Sequence, residues 1–329
     1  GVWIEKAGTR NIIGTDGDGL GDQSEGNVIS GNLAHGVGIG DAGTDGNVVA
    51  GNLIGTDAGG MEALPNTLQN VVIFAGAKHN LIGTNGDGLS DALERNVISG
   101  VPSSAGVWIK DPGTERNAVA GNLIGTDILG TGALPNGSKG VAITLGARFN
   151  RIGTDGSPDA FNSSERNVIS GNKSYGIEIQ HAGTAYNVIA GNFIGTTADG
   201  TLALGNAGTG IYIGNGAPNN VIGTNGDGIG DEFEGNLISG NKQHGIQIAG
   251  SPLNIVAGNL IGTDASGMAA LGNKLDNVRI GNGAKNNRIG TNGDGVSDLL
   301  ERNVLSSAEQ CGVAIGLKGE GNIVAGNLI

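Results

Sequence analysis

Short apolar words of two to four residues recur along the whole chain, separated by Gly, Asn and Asp. The clearest reads Gly-Val/Ile-x-Ile and supplies Val2/Ile4, Val37/Ile39, Val107/Ile109, Val141/Ile143, Ile177/Ile179, Ile211/Ile213, Ile246/Ile248 and Val313/Ile315. Asn70-Val-Val-Ile and Asn277-Val-Arg-Ile fit the same word with Asn in place of Gly. β-Branched residues at one parity predict short strands with one buried face. The residues between them are mixed, running from Trp3 and Gly38 through Trp108, Glu178 and Tyr212 to Arg279, as suits an outer face. Two further words complete a set of three. One is Asn-x-Val/Ile, as at Asn47-Val-Val; the other is Asn-Val/Leu-Ile, as at Asn52-Leu-Ile. Gly and Asn sit at the joints, where the chain must turn and positive φ is often needed.

Asn opens the second word at positions 11, 47, 80, 117, 150, 187, 220, 254, 287 and 322. One spacing is always 33 residues; the other varies from 34 to 37. The pair makes a repeat of about 70 residues, so that Asn47-Val-Val-Ala-Gly-Asn-Leu-Ile-Gly-Thr-Asp returns nearly unchanged at Asn117, Asn187 and Asn254. Three short strands per rung, stacked in register, predict an all-β parallel β-helix of about nine full rungs, two per repeat. Stacking places equivalent residues about 4.8 Å apart. It therefore predicts ladders of inward Asn side chains at the corners, amide bonded to amide. The repeat runs through residues 1–329 without a linker, which predicts one solenoid. Its strand edges invite pairing, so the expectation is a segment of a longer chain or a unit that self-associates end to end.

Charge narrows the choice of partners. A net charge of −13 argues against nucleic acid, which requires a basic stripe. No apolar run reaches the length of a membrane span. Cys311 stands alone, so no disulfide framework holds the chain. The acid is concentrated: 17 of 31 Asp and Glu residues fall in five loops, 14–25, 83–94, 153–165, 223–234 and 290–301. Four of these read Gly-Thr-Asn/Asp-Gly-Asp-Gly-x-x-Asp-x-x-Glu, beginning at Gly14, Gly83, Gly223 and Gly290. The copy at Gly153 is broken by Ser157-Pro158 and is one residue longer. Closely spaced carboxylates around a Gly turn supply the oxygens that calcium takes. The competing reading is a turn alone, since Gly, Asn and Asp form turns anyway.

The words Asn167-Val-Ile-Ser-Gly-Asn and Asn187-Val-Ile-Ala-Gly-Asn-Phe-Ile-Gly-Thr resemble those of the bacterial right-handed parallel β-helix repeat proteins. That resemblance covers essentially the whole chain. It implies right-handed winding, an extracellular or cell-surface location, and a structural role as a rigid surface, sheath, filament or adhesin segment. The acidic loops resemble thrombospondin type 3 and dockerin-like calcium loops. That second resemblance implies bound calcium and four ligand sets. They are Asp16, Asp18, Asp22 and Glu25; Asn85, Asp87, Asp91 and Glu94; Asn225, Asp227, Asp231 and Glu234; and Asn292, Asp294, Asp298 and Glu301. The departure is Gly at the first position, where the motif has Asp. Loop 153–165 is expected to be empty or differently built.

Three further features bear on function. The middle residue of the Asn-x-Ile word is apolar throughout, from Val28 and Leu53 to Leu328, although it should point outward. The constant-length loop ending in Ala63-Leu64, Ala133-Leu134, Ala203-Leu204 and Ala270-Leu271 is the expected cover, with Leu93, Phe233 and Leu300 adding to it. Trp3, Trp108 and Tyr212 share one outward position at three-rung intervals and are candidate glycan contacts. The alternative function is therefore a carbohydrate-active module that binds or cleaves polysaccharide. No zinc spacing is present, the four His residues are scattered, and outward Glu178 lacks a second carboxylate for sugar hydrolysis.

Overall fold

A computed structural model describes residues 1–329 as a right-handed parallel β-helix with three strands per rung. Sheet A contains ten strands, among them Val37–Gly40 and Ile177–Gln180; sheet B contains ten, such as Val48–Ala50; sheet C contains nine two-residue strands, such as Leu123–Ile124. Every pairing between named strands is parallel and keeps equivalent residues opposite one another, as in Val107↔Val141 and Ile109↔Ile143. The inward parity is thus the same in each rung. Ile stacks on Ile or Val, and one apolar cluster runs from Ile4 to Leu305. The only helical pieces are single turns inside acidic loops, at Asp22–Ser24 and Asp231–Glu234.

The Asn ladders are present and buried. At the corner between sheets A and B, the Asn80 amide donates to Asn117 Oδ1 at 3.0 Å, and Asn117 donates to Asn150 Oδ1 at 3.0 Å. Between sheets B and C, Asn96, Asn122 and Asn167 repeat the pattern at 2.9 and 3.0 Å. A third ladder, between C and A, has two gaps. Val101 and Ala308 stand where the aligned rungs carry Asn172 and Asn241. At the rung before each gap, the residue preceding the sheet A strand is Asn rather than Gly. Asn70 accepts from Asn66 at 2.9 Å and donates to the Ser99 carbonyl at 2.8 Å. Asn277 does the same between Asn273 and the Ser306 carbonyl. The two Asn-for-Gly exceptions in the sequence therefore supply the amides that the next rungs lack.

Sheet C's outward stripe is covered along its middle, where Val97, Leu123, Val168, Phe193 and Leu237 are buried. The cover corrects the sequence expectation in detail. The Ala-Leu pairs do not lie on the stripe: Ala63, Ala133, Ala203 and Ala270 bridge back to Thr56, Thr126, Thr196 and Thr263, and Leu64 is 49% exposed. The tip of the flap covers instead. Gly60 and Gly130 approach the Leu53 and Leu123 side chains, and Ala198 packs on the Val97–Leu123–Val168 cluster. Successive flaps are tied together by Ile128 N–H to the Gly60 carbonyl and Ala198 N–H to the Gly130 carbonyl, at 3.0 and 2.9 Å. Leu93 and Phe233 wall grooves beside the stripe, next to Leu53, Val97 and Leu123 and next to Phe193 and Leu237, while remaining partly exposed, as is Leu300.

Candidate functional site

The three outer faces differ in chemistry. Sheet C is covered along its middle. Sheet B turns aliphatic residues outward, such as Val48, Leu81 and Val188, with Arg151 and Arg288 as exceptions. Sheet A carries the aromatic and hydrogen-bonding groups on the strand's middle residue, two positions after it and, at the preceding corner, three positions before it, as at Glu178, Gln180 and Tyr175.

Glycines on sheet A let rings lie down. Trp3 is paired with Gly38, and its six-membered ring rests where a Gly38 side chain would be. Phe74 is paired with Gly40 and occupies that position in the same way. Glycine in a strand interior weakens it unless something must approach closely; here the close approach is an aromatic ring. Trp3 and Phe74 converge from opposite rungs with centroids 5.6 Å apart, and His35 stacks on Trp3 at 5.7 Å. Tyr212 lies over Gly214 in its own strand and stacks on Tyr175 at 4.9 Å and 10°. Trp108 is different. Its indole N–H donates to Thr144 at 2.8 Å, and Lys110 Nζ sits 4.9 Å from its ring centroid.

A cavity of about 420 Å³ opens beside Trp108, lined in part by Ser104, Trp108, Lys139, Glu178, Gln180 and His181. Glu178 is buried and fully engaged: Lys139 Nζ lies 3.0 Å from Oε2, and Gln180 donates to Oε1 at 2.7 Å. His181 Nδ1 is buried without a partner. Burial raises the Tyr175 and Tyr212 hydroxyl pKa values, with the Glu178 charge adding to the effect, so both remain protonated donors. Lys139, Tyr175, Gln180 and His181 escaped the sequence reading because they flank the strand word. Gln180 lies one step of two beyond Glu178, but Lys139, Tyr175 and His181 stand three positions from the middle residues of their strands, where the chain leaves the alternation at a corner, so the period does not find them.

The acidic loops stack in a second column, at the corner between sheets B and C. The first brings Asp16, Asp22 and Glu25 together, with one carboxylate oxygen of each within 4.8 Å of the others. Asp18 stays outside this group; its Oδ1 accepts from Leu20 N–H at 2.7 Å. In loops 83–94, 223–234 and 290–301 Asn replaces Asp16. There, Asp87, Asp227 and Asp294 accept both the Asn side-chain amide and a backbone N–H two residues on. Asp22, Asp91 and Asp231 are buried, and each accepts from the Thr that follows the first Gly. Ser90 Oγ reaches across to Asp22 and holds its carboxyl below the usual range. Loops also touch through Gly: Gly17 lies against the Glu94 carboxylate and Gly226 against Glu301.

Apart from the half-buried Glu25, the closing glutamates divide into two kinds. Arg151 Nη1 lies 2.7 Å from Glu165, and Arg288 Nη1 lies 2.8 Å from Glu301. Each of these Arg residues occupies the outward position of its sheet B strand, where the other loops have Ile12, Leu81 and Val221. Glu94 and Glu234 are buried with no cation beside them. Burial pushes both carboxyls up, and the neighbouring Asp charges push the same way.

The fold thus defines the class, a right-handed parallel β-helix. No protein-family model matches the sequence, and no curated protein matches it. Three solved structures give a measure of likeness. A double mutant of the periplasmic alginate epimerase AlgG is 13% identical, with TM-score 0.44, over 89% of this chain and 71% of that one. The A-module of the Azotobacter vinelandii mannuronan C-5 epimerase AlgE4 is 12% identical, with TM-score 0.35, over 92% and 86%. The Dettilon tailspike protein is 16% identical, with TM-score 0.40, over 96% and 60%. No helix of this chain is long and apolar enough to cross a membrane.

Proposed function

We propose that this chain is a rigid extracellular rod that binds polysaccharide along the outer face of sheet A. The observation that carries the reading is the set of rings laid against glycines, Trp3 on Gly38, Phe74 on Gly40 and Tyr212 on Gly214. Rings laid along the sheet, extended by stacked Tyr175 at Tyr212 and His35 at Trp3, form aromatic platforms of the kind that an apolar sugar face packs on. Polar groups of the central cavity supply hydrogen bonds between the platforms. The reading is of binding rather than hydrolysis, because Glu178 has both oxygens engaged and hydrolysis of a glycosidic bond generally needs a pair of carboxylates. Lys110 Nζ lies over both the Trp108 and Phe74 rings, at 4.9 and 5.5 Å, so Trp108 contributes through the cavity wall and Trp3 and Tyr212 are the main platforms. Affinity electrophoresis through gels containing soluble polysaccharides tests this. The wild-type chain is expected to be retarded, and Trp3→Ala or Tyr212→Ala to weaken binding by about tenfold each, the usual scale for truncating an interface aromatic. Retardation by no polysaccharide, or retardation that survives both substitutions unchanged, sinks the reading.

A second proposal concerns the acidic loops, and internal comparison supports it. In two of five copies a guanidinium holds the closing Glu, so that carboxylate accepts a cation there. Loop 14–25 has no such Arg and offers three converging carboxylates, Asp16, Asp22 and Glu25, a donor set suited to a hard dication. We assign calcium to this loop first. Loops 83–94 and 223–234 follow, with an Asn amide replacing one carboxylate. Loop 290–301 falls outside the set because Arg288 already pairs with Glu301. Calcium is expected to raise the melting temperature relative to chelator, and Asp22→Asn to remove most of that shift. Arg288→Leu is expected to enlarge it by freeing Glu301. No calcium-dependent shift in the wild-type chain defeats the assignment.

A further inference from the structure

The glycan face changes character toward its C-terminal end. A cavity of about 360 Å³ there is lined by His244, Gln247, Asp276, Arg279, Asn282 and Gln310, among others. Arg279 is the outward residue of the strand Val278–Gly281, paired with Gln247 on one side and Ala314 on the other. Its side chain is 42% exposed, and one nitrogen, Nη1, lies at the long distance of 3.5 Å from Asp276. Nη2 lies over Gly316, where the lack of a side chain leaves it room.

The one carboxylate in this cavity faces inward. Asp276 is 1% exposed and accepts from the Cys311 N–H at 3.1 Å. His244 Nδ1 accepts from the Asp276 N–H at 3.1 Å, so the ring is in its neutral form with Nε2 as the donor. The nearby Asp276 carboxylate, 3.4 Å from the same nitrogen, makes no ion pair with a neutral ring. Burial keeps the imidazole pKa down against the opposing pull of the Asp276 carboxylate, and the Arg279 charge adds to the lowering. The polar groups left to line the pocket can therefore all donate: the Arg279 fork and the His244 N–H donate only, and the Gln247, Asn282 and Gln310 amides can donate or accept. In a chain of net charge −13, a donor-rich pocket around a guanidinium is a local exception.

We infer that this pocket receives the carboxylate of an acidic sugar, so that the polysaccharide bound along sheet A is a polyuronate. A planar guanidinium matches a planar carboxylate with two parallel hydrogen bonds, a geometry that Lys cannot reproduce. The inference rests on the glycan reading of sheet A and adds the charge class of the ligand. Trp3 and Arg279 stand in the same outward column, eight rungs apart, so one extended chain lying along the axis meets both.

The test is isothermal titration of the wild-type chain, Arg279→Gln and Arg279→Lys. The probes are polygalacturonate, a neutral glucan of similar length and dextran sulfate. Polygalacturonate is expected to bind the wild type most tightly. Arg279→Gln should lose roughly ten- to a hundredfold for polygalacturonate, the worth of a charge-assisted hydrogen bond, and nothing for the neutral glucan. Arg279→Lys should recover only part of the loss. Equal affinity of Arg279→Gln and wild type for polygalacturonate overturns the inference, and so does stronger binding of dextran sulfate than of polygalacturonate. If the neutral glucan binds and Arg279 proves silent, this inference fails while the glycan face stands. If no polysaccharide binds the wild type, the glycan face fails and takes the inference with it.

Discussion

Gly83→Asp, the change that would complete the calcium-loop motif, is expected to destabilise the solenoid by about 4 kcal/mol or more instead of strengthening a metal site. Gly83 ends a sheet B strand at φ 108°, a conformation that L-residues rarely adopt. A Cβ there would overlap the Ala120 carbonyl oxygen of the next rung. Gly14, Gly153, Gly223 and Gly290 share the conformation, with φ between 96° and 107°, and meet the carbonyls of Ala50, Ala190, Ala257 and Ala325. The first ligand position of the motif is therefore closed by backbone, and any metal must be held by the later residues. Unfolding in a stacked repeat need not be two-state. Hydrogen exchange is the better measurement, with loss of protection centred on the rungs containing Leu81–Gly83 and Ala118–Ala120. Full protection in Gly83→Asp, with tighter calcium binding, would refute this account.

Asn117→Ala is expected to cost about 4 kcal/mol, far beyond a typical Asn substitution at a turn. Asn117 Oδ1 accepts both the backbone and the side-chain N–H of Asn80, each at 3.0 Å. Its amide donates to the Ala77 carbonyl and to Asn150 Oδ1, at 3.1 and 3.0 Å. These groups are buried, so water does not replace the lost partner. Each such bond contributes roughly 1 kcal/mol net, and each orphaned buried group costs about 1–3 kcal/mol. Asn11→Ala, at the end of the same ladder, is expected to cost much less, because Asn11 is exposed and water can replace it as the donor to Asn47 Oδ1. Thermal melts of the two variants make the comparison. Similar losses would mean that the ladder carries little of the stability.

Much of this architecture is local and therefore legible. Val37, Ile39, Ile177 and Ile179 announce a strand and its buried face by spacing alone, because side chains alternate along any strand. The recurrence of Asn at one parity announced the ladders, since stacking in register brings identical residues together. The flap was legible as a cover, but its contact was not. Ala63 and Leu64 looked like the apolar end of a lid, yet the strand-like return to Thr56 turns Leu64 outward and leaves the tip against Leu53.

Chemistry was less legible than fold, for a definite reason. Glu178 meets Lys139 across 39 positions, and Arg288 meets Glu301 only after the chain has turned a corner. Trp3 needs Gly38 from the next rung in order to lie down, and Asn70 matters because Val101 is not Asn. By itself the sequence determined the rung, its three strands, the inward parity and the pairing of rungs into repeats, because each follows from the alternation of neighbouring side chains. Only the tertiary structure decided which carboxylates meet a cation, which rings find room to lie flat and which glycines exclude a ligand. Those outcomes depend on what the adjacent rung places about 4.8 Å away, and rungs of unequal length set that register in space rather than along the chain.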